Sequence, residues 1–287
     1  MTPRTRVLAL LCCALMTAAT ICSTALGANP LQAGLTLLGS AADDLLDGTP
    51  LADVLDGGAG DDHINGGAGN DRLRSGPGRD TVDGGPGDDE IDTGEGDDSA
   101  AGGDGADDLD GGAGDDTLDG GSGIDIVDGA AGNDTLDGGD GADQVAGGDG
   151  DDTLTVGSAT REARDLTGGP GNDRIVGGPG RDAIRGNGGD DSLHGRGAGD
   201  RIWGGPDDDR INGNAGRDIL WGEGGDDRIN GGDGDDRISA GAGADTIRVS
   251  GGGHDTVNCG PGVDRVVADP GDAVRGNCEH VRRTKRR

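Results

Sequence analysis

The chain has 287 residues, of which 66 are Gly, two are Trp and none is Phe or Tyr, so it lacks the large side chains of an ordinary globular core. That leaves either disorder or a repeat protein, whose thin core continues along one axis. With 24 basic against 56 acidic residues and a formal charge of −32, the chain is too acidic for its body to hold nucleic acid.

Residues 1–27 read as a secretory signal peptide. Arg4 and Arg6 form a basic start, the stretch from Val7 to Cys22 is mostly apolar, and small residues from Ser23 to Ala28 place cleavage after Gly27 or Ala25. The apolar run is too short and too interrupted for a membrane span. The mature chain is therefore expected outside the cell, secreted or held at the cell surface, with no membrane span after signal removal.

From Gly39 the chain divides into nonapeptides such as GGAGDDHIN (57–65), GGAGNDRLR (66–74) and GGAGDDTLD (111–119). Thirteen consecutive units run to Thr155 and form an acidic array, 39–155, with 33 acidic residues and 3 Arg. Twelve residues, VGSATREARDLT (156–167), then interrupt the phase as an irregular insert, readable as a hinge, a distorted coil or a partner loop. A second array of 11 units occupies 168–267, with the single extra residue Val249 inside it, 18 acidic residues and 11 Arg.

Within the unit each position has its own chemistry. Position 6 is Asp in all 24 units, from Asp44 to Asp264, and position 8 is Leu, Ile or Val in 23, with Ala100 the exception. Position 4 is Gly in 20 units, failing at Ala42, Leu51, Ala198 and Asp207, while positions 5, 7 and 9 vary freely. A flexible linker needs no phase, so the fixed period points to a fold. Glycines at positions 1, 2 and 4 suit a tight turn with positive φ. Positions 7 to 9 then form a short strand whose position 8 faces inward. Two units make a coil of 18 residues, and the fold class expected is all-β, a parallel β-roll. Such a two-sheet β-solenoid, stacking at about 4.8 Å per coil, gives twelve coils a length of roughly 58 Å.

Stacking sets position 6 of one coil over position 6 of the coil 18 residues later. Asp62, Asp80 and Asp98 fall along one edge, and Asp71, Asp89 and Asp107 along the other. Such columns of carboxylate require cations between them. Carboxylate and backbone carbonyl oxygens suit Ca²⁺, whereas Mg²⁺ demands stricter octahedral geometry and keeps its waters. The expected side-chain ligands are Asp62, Asp71, Asp80, Asp89, Asp98, Asp107, Asp116, Asp125, Asp134, Asp143, Asp152, Asp173, Asp182, Asp191, Asp218, Asp227, Asp236 and Asp245. Multiple Ca²⁺ ions are the cofactors expected, and a chain without them is expected to be disordered.

The pattern GGxGxDxUx resembles the RTX, or hemolysin-type, calcium-binding repeat. Units 57–65, 66–74, 84–92, 102–110, 111–119, 138–155, 168–185 and 231–239 match it closely. The resemblance implies Ca²⁺ held between successive turns of one edge by the Asp carboxylate and turn carbonyls. It points first to Asp62, Asp71, Asp89, Asp107, Asp116, Asp125, Asp143, Asp152, Asp173, Asp182 and Asp236. Units 39–56 and 195–212, without the position-4 glycine, fall outside that set. The chain shows no toxin, protease or lipase domain of the kind many members carry.

Cys259 and Cys278 are the two cysteines left after signal removal, an even pair suited to a disulfide. The stretch from Cys259 to Val281 resembles the ends of small secreted repeat proteins of this type. Residues 268–281 are read as a disulfide-clipped cap over the last open sheet edge, and 282–287 as a basic tail. Trp203 and Trp221 lie 18 apart at the outward position 9, with Ile219 and Arg201 beside them. They form either a cross-strand packing pair or a surface patch for a partner or glycan, while the basic tail is either a solvated end or a contact for anionic cell-envelope polymers or lipid. The four His are scattered with no HExxH or nucleophile-elbow order, so no catalytic residues are assigned.

Overall fold

The computed structural model describes residues 34–157 and 164–285. The segment read as a signal, 1–27, lies outside these, as do the middle of the insert and the last two arginines. Within the repeats the strands start at position 7, apart from the short Asp140–Gly141, and in most units continue past position 9 into the next unit's glycines. In His63–Gly67 the alternation exposes His63, buries Ile64, half-buries Asn65 and buries Gly66. Positions 8 and 1 therefore both face inward, as pleating requires of residues two apart.

Neighbouring strands of a sheet pair in parallel one coil apart: Leu55 lies beside Leu73, and Ile64 beside Val82. Alternate strands thus collect into two parallel sheets of 14 and 15 strands, an all-β two-sheet solenoid. One sheet turns Leu55, Leu73, Ile91 and Leu109 inward, and the other Ile64, Val82, Ala100 and Leu118, and all of these are buried. Each full-sized aliphatic contributes about 2 kcal/mol of burial.

Both sheets run straight through 156–167. Val145 pairs with Leu166, and Leu154 with Ile175, so the offset between coils grows from 18 to 21. Leu166 is a buried position-8 residue, and Arg164 occupies the position-6 place ahead of it. The strands on either side of the stretch thus stay in one ladder across three added residues. The added Val249 is likewise absorbed, with an offset of 19 and its side chain buried.

The ladder also extends beyond the repeats at both ends. Ahead of the regular units, Leu37 on Thr36–Ser40 pairs with Leu55. At the far end Ala273–Val274 and His280–Arg283 add a shortened coil with offsets of 17 and 15. That last strand takes in Arg282 and Arg283, and Arg283 donates to the carbonyls of Asp269 and Asp272 at 2.6 and 3.1 Å. Cys259 and Cys278 are disulfide-bonded, their Cα atoms 5.4 Å apart, which ties the final coil to the one before. Among the described residues no helix is long and apolar enough to cross a membrane.

Candidate metal sites along the turns

The position-6 aspartates are the most unusual feature of the interior. Each turn delivers its Asp just before a strand begins, with the side chain directed into the roll, and those from Asp53 to Asp264 are buried. One oxygen is committed to the backbone: Asp80 Oδ1 accepts the N–H of Asp62, and Asp98 Oδ1 that of Asp80, each at 2.7 Å. The other has no donor. Among the described residues, Oδ2 is buried without a hydrogen-bond partner in twenty of these aspartates. They comprise every expected ligand except Asp182, together with Asp200, Asp209 and Asp264.

These bonds trace two columns, one on each edge. The first links Asp44, Asp62, Asp80, Asp98, Asp116, Asp134, Asp152 and Asp173, then continues to Asp264. The second links Asp53, Asp71, Asp89, Asp107, Asp125 and Asp143, meets Arg164, and resumes from Asp182 to Asp255. Asp272 and Glu279 close the columns, accepting the N–H of Asp255 and Asp264 at 3.2 and 2.9 Å. Their spacing departs from the repeat, which hid this role in the sequence.

The free oxygens look into a small polar space beside position 1. A Cβ added to Gly66 would lie 2.7 Å from both Asp71 Oδ2 and the Gly84 carbonyl oxygen. At Gly102 the corresponding distances are 2.5 Å to Asp107 Oδ2 and 2.7 Å to the Gly120 oxygen. A carboxylate of one coil and a carbonyl of the next thus converge where glycine leaves room. This differs from the expected reason for glycine: positive φ occurs at positions 2 and 4 but not at position 1, which is glycine for space. Ala198 and Asp207 adopt positive φ of 64° and 92° without being glycine, so their turns deliver Asp200 and Asp209 in the usual pose.

Electrostatics follow burial. Loss of water, reinforced by neighbouring aspartates and opposed by the backbone N–H, pushes Asp89 and Asp98 up to about 6. The same causes bring Asp107 and Asp116 to about 7, and Asp200 to about 8. Carboxyls this perturbed, with one bare oxygen each, form a favourable setting for a cation. Among the described residues no three His, Cys, Asp or Glu side chains close on one point. An ion here takes much of its shell from backbone carbonyls, which suits hard, oxygen-seeking Ca²⁺.

The first two turns differ. Asp44 and Asp53 fold Oδ2 back onto the N–H of Ser40 and Thr49 in their own units, at 2.6 and 2.5 Å. Asp182 does the same with Gly178, at 2.8 Å. Outside the columns, position 5 carries a second, exposed ladder. Asp115 accepts the N–H of Asn133, Asn133 that of Asp151, and Asp151 that of Asn172, at 2.8, 2.9 and 2.7 Å. Position 5 is therefore less free than its variety suggests.

Trp203 and Trp221 pair on adjacent strands, with Ile219 beside Arg201. Their rings stack 4.7 Å apart and 5° from parallel, and Arg185 lies 4.9 Å from the Trp203 centroid on the other side. Both faces of Trp203 are thus covered, one by Trp221 and the other by Arg185.

A family model of the RTX calcium-binding nonapeptide repeat, four copies long, matches residues 47–82, 83–118 and 119–154. It matches again at 167–202, 194–229, 213–247, 221–257 and 233–266. A search of curated proteins finds no match. With inward aspartates, glycine-lined oxygen cradles and these matches covering most of its length, the chain belongs to the RTX calcium-binding nonapeptide-repeat family.

Proposed function

We propose that this chain is an exported structural or interaction module that folds when Ca²⁺ enters its turns. The observation that carries this reading is the double column of buried aspartates, in twenty of which, among the described residues, Oδ2 lacks any hydrogen-bond donor. An unpaired buried carboxylate costs several kcal/mol, so an ionised column is tenable only with positive charge inside it. Bound Ca²⁺ supplies that charge and accepts oxygen ligands in a flexible shell.

Asp62, Asp71, Asp80, Asp89, Asp98, Asp107, Asp116, Asp125, Asp134, Asp152, Asp173, Asp191, Asp218, Asp227, Asp236 and Asp245 are the proposed carboxylate ligands, while Asp143 is set apart because its Oδ2 faces the Arg164 guanidinium at 3.5 Å. Asp200 and Asp209 join them because their free oxygens have the same setting. Position-1 carbonyls of the following coil complete the approach from the other side. The signal-like residues 1–27 support export.

Far-UV circular dichroism during a Ca²⁺ titration at neutral pH tests this, with Mg²⁺ as the control. The β signal is expected to rise with Ca²⁺ and far less with Mg²⁺. Full β-structure and a sharp cooperative melt in excess EGTA would sink the reading. A long, regular rod also favours a calcium-dependent adhesin or matrix scaffold. Cell attachment, compared with and without the gene and with and without chelator, separates that role from ion sequestration.

A further inference from the structure

Arg164 stands in the second column where every neighbouring coil has aspartate. Its backbone keeps the register: Ala183 donates to the Arg164 carbonyl at 2.8 Å, as Arg72 donates to that of Asp53 at 2.9 Å. Its side chain is fully buried, as is that of Asp143, with Nε 3.5 Å from Asp143 Oδ2. Nη2 donates to the Gly157 carbonyl at 3.2 Å. Nη1 lies over the next turn, where a Cβ on Gly178 would be only 2.3 Å away. On that side lies Asp182, which feels the Arg164 charge and whose Oδ2 accepts the Gly178 N–H of its own unit. Gly178 lacks the positive φ of most other position-2 residues, so the turn beneath the guanidinium has a different shape.

We propose that the Arg164 guanidinium is a built-in cation, standing in for Ca²⁺ between Asp143 and Asp182 and holding these coils together without the ion. The proposal rests on the calcium reading of the columns. A guanidinium cannot lose its proton and can face carboxylates of two coils at once. A divalent ion placed beside it would meet repulsion. In a solenoid each coil contacts only its neighbours, so a metal-independent seam leaves a folded segment from which ion-driven folding spreads.

The test compares the wild-type chain with Arg164→Asp, Arg164→Gln and Arg164→Lys, by ion count at saturating Ca²⁺ and by hydrogen exchange in EGTA. In EGTA, wild-type segments 143–154 and 164–185 are expected to exchange at least about tenfold more slowly than 80–125. Arg164→Lys keeps that protection. Arg164→Gln loses it without taking up further ions. Arg164→Asp loses it and gains ions, at most one in each interval flanking position 164. Failure of Arg164→Asp to fold in saturating Ca²⁺, an unchanged ion count, or uniform wild-type exchange in EGTA each overturns the proposal. A wild-type chain that takes up no Ca²⁺ overturns the calcium reading itself, whereas a calcium-loaded wild type with an unchanged Arg164→Asp count overturns this inference alone.

Discussion

Asp107 Oδ1 accepts the backbone N–H of Asp89, eighteen residues earlier, at 2.8 Å, while its Oδ2 is buried with no donor at all. One side chain thereby performs two separable tasks. It joins consecutive coils through Oδ1, and it presents negative charge to the cradle beside Gly102 through Oδ2.

Substitution separates the two. Asp107→Asn keeps an acceptor for the Asp89 N–H but removes the charge, so the variant should bind fewer ions and need more Ca²⁺ to fold. Asp107→Leu also strands the Asp89 N–H, an added cost of about 1–3 kcal/mol. Ion counting and thermal melts in saturating Ca²⁺ check both. Equal ion counts in wild type and Asp107→Asn would remove Asp107 from the ligand set.

Two glycines of one turn provide a steric control. A Cβ at Gly186 would lie 2.0 Å from Asp191 Oδ2 and 2.6 Å from the Gly204 oxygen, while one at Gly188 meets nothing within 4 Å. Gly186→Ala is therefore expected to cost about 1–3 kcal/mol by overpacking and to weaken ion uptake locally. Gly188→Ala is expected to stay within about 0.5 kcal/mol of wild type. Denaturant unfolding of the two variants should rank them in that order, and the reverse order contradicts the cradle.

Protonation competes with the metal. Burial raises the folded-state values of Asp107 and Asp116 from 3.8 to about 7 and that of Asp200 to about 8. The metal-free folded chain then holds more protons than the unfolded chain between roughly pH 4 and 8, so it loses stability as pH rises through that window. In EGTA the β signal should be stronger at pH 5 than at pH 8. Ca²⁺ uptake near pH 7 should release protons, and its midpoint should rise as pH is lowered toward 6. A metal-free β signal that strengthens with rising pH is the contrary result.

The disulfide acts at one end only. Cys278→Ser should cost about 3 kcal/mol on the chain-entropy model. The loss should concentrate in the last coil, because Cys259 and Cys278 tie the cap to the array. Hydrogen exchange in saturating Ca²⁺ should rise over 264–283 while 80–125 is unaffected. Uniform loosening along the chain would show that the bond matters elsewhere.

Much of this was legible because Asp62 and Ile64, and their counterparts, answer to single chemical demands: a buried charge at one place, a buried aliphatic two residues on. Asp200 and Asp209 were passed over because a glycine was expected at position 4, yet Ala198 and Asp207 reach the same left-handed backbone. Arg164 was hidden twice, by opposite charge and by three added residues that shift the phase. Asp272 and Glu279 escaped for a related reason: they keep a place in the coil at altered spacing, and only the rim hydrogen bonds reveal it. The outer ladder of Asp115, Asn133 and Asp151 repeats along one edge, a period of two units, so a nine-residue register averages it away.

Each rim bond in the repeat runs from a backbone N–H to an aspartate one coil further along. A coil therefore cannot complete its own rim; it waits on its successor, and a bare array always has an unfinished face at its C-terminal side. Asp272 and Glu279 end that dependence with carboxylates that ask for no coil beyond them. Whole coils added or removed between Asp62 and Asp236 should leave both ends intact, which makes the rod extensible in steps of 18 residues while its terminus stays closed.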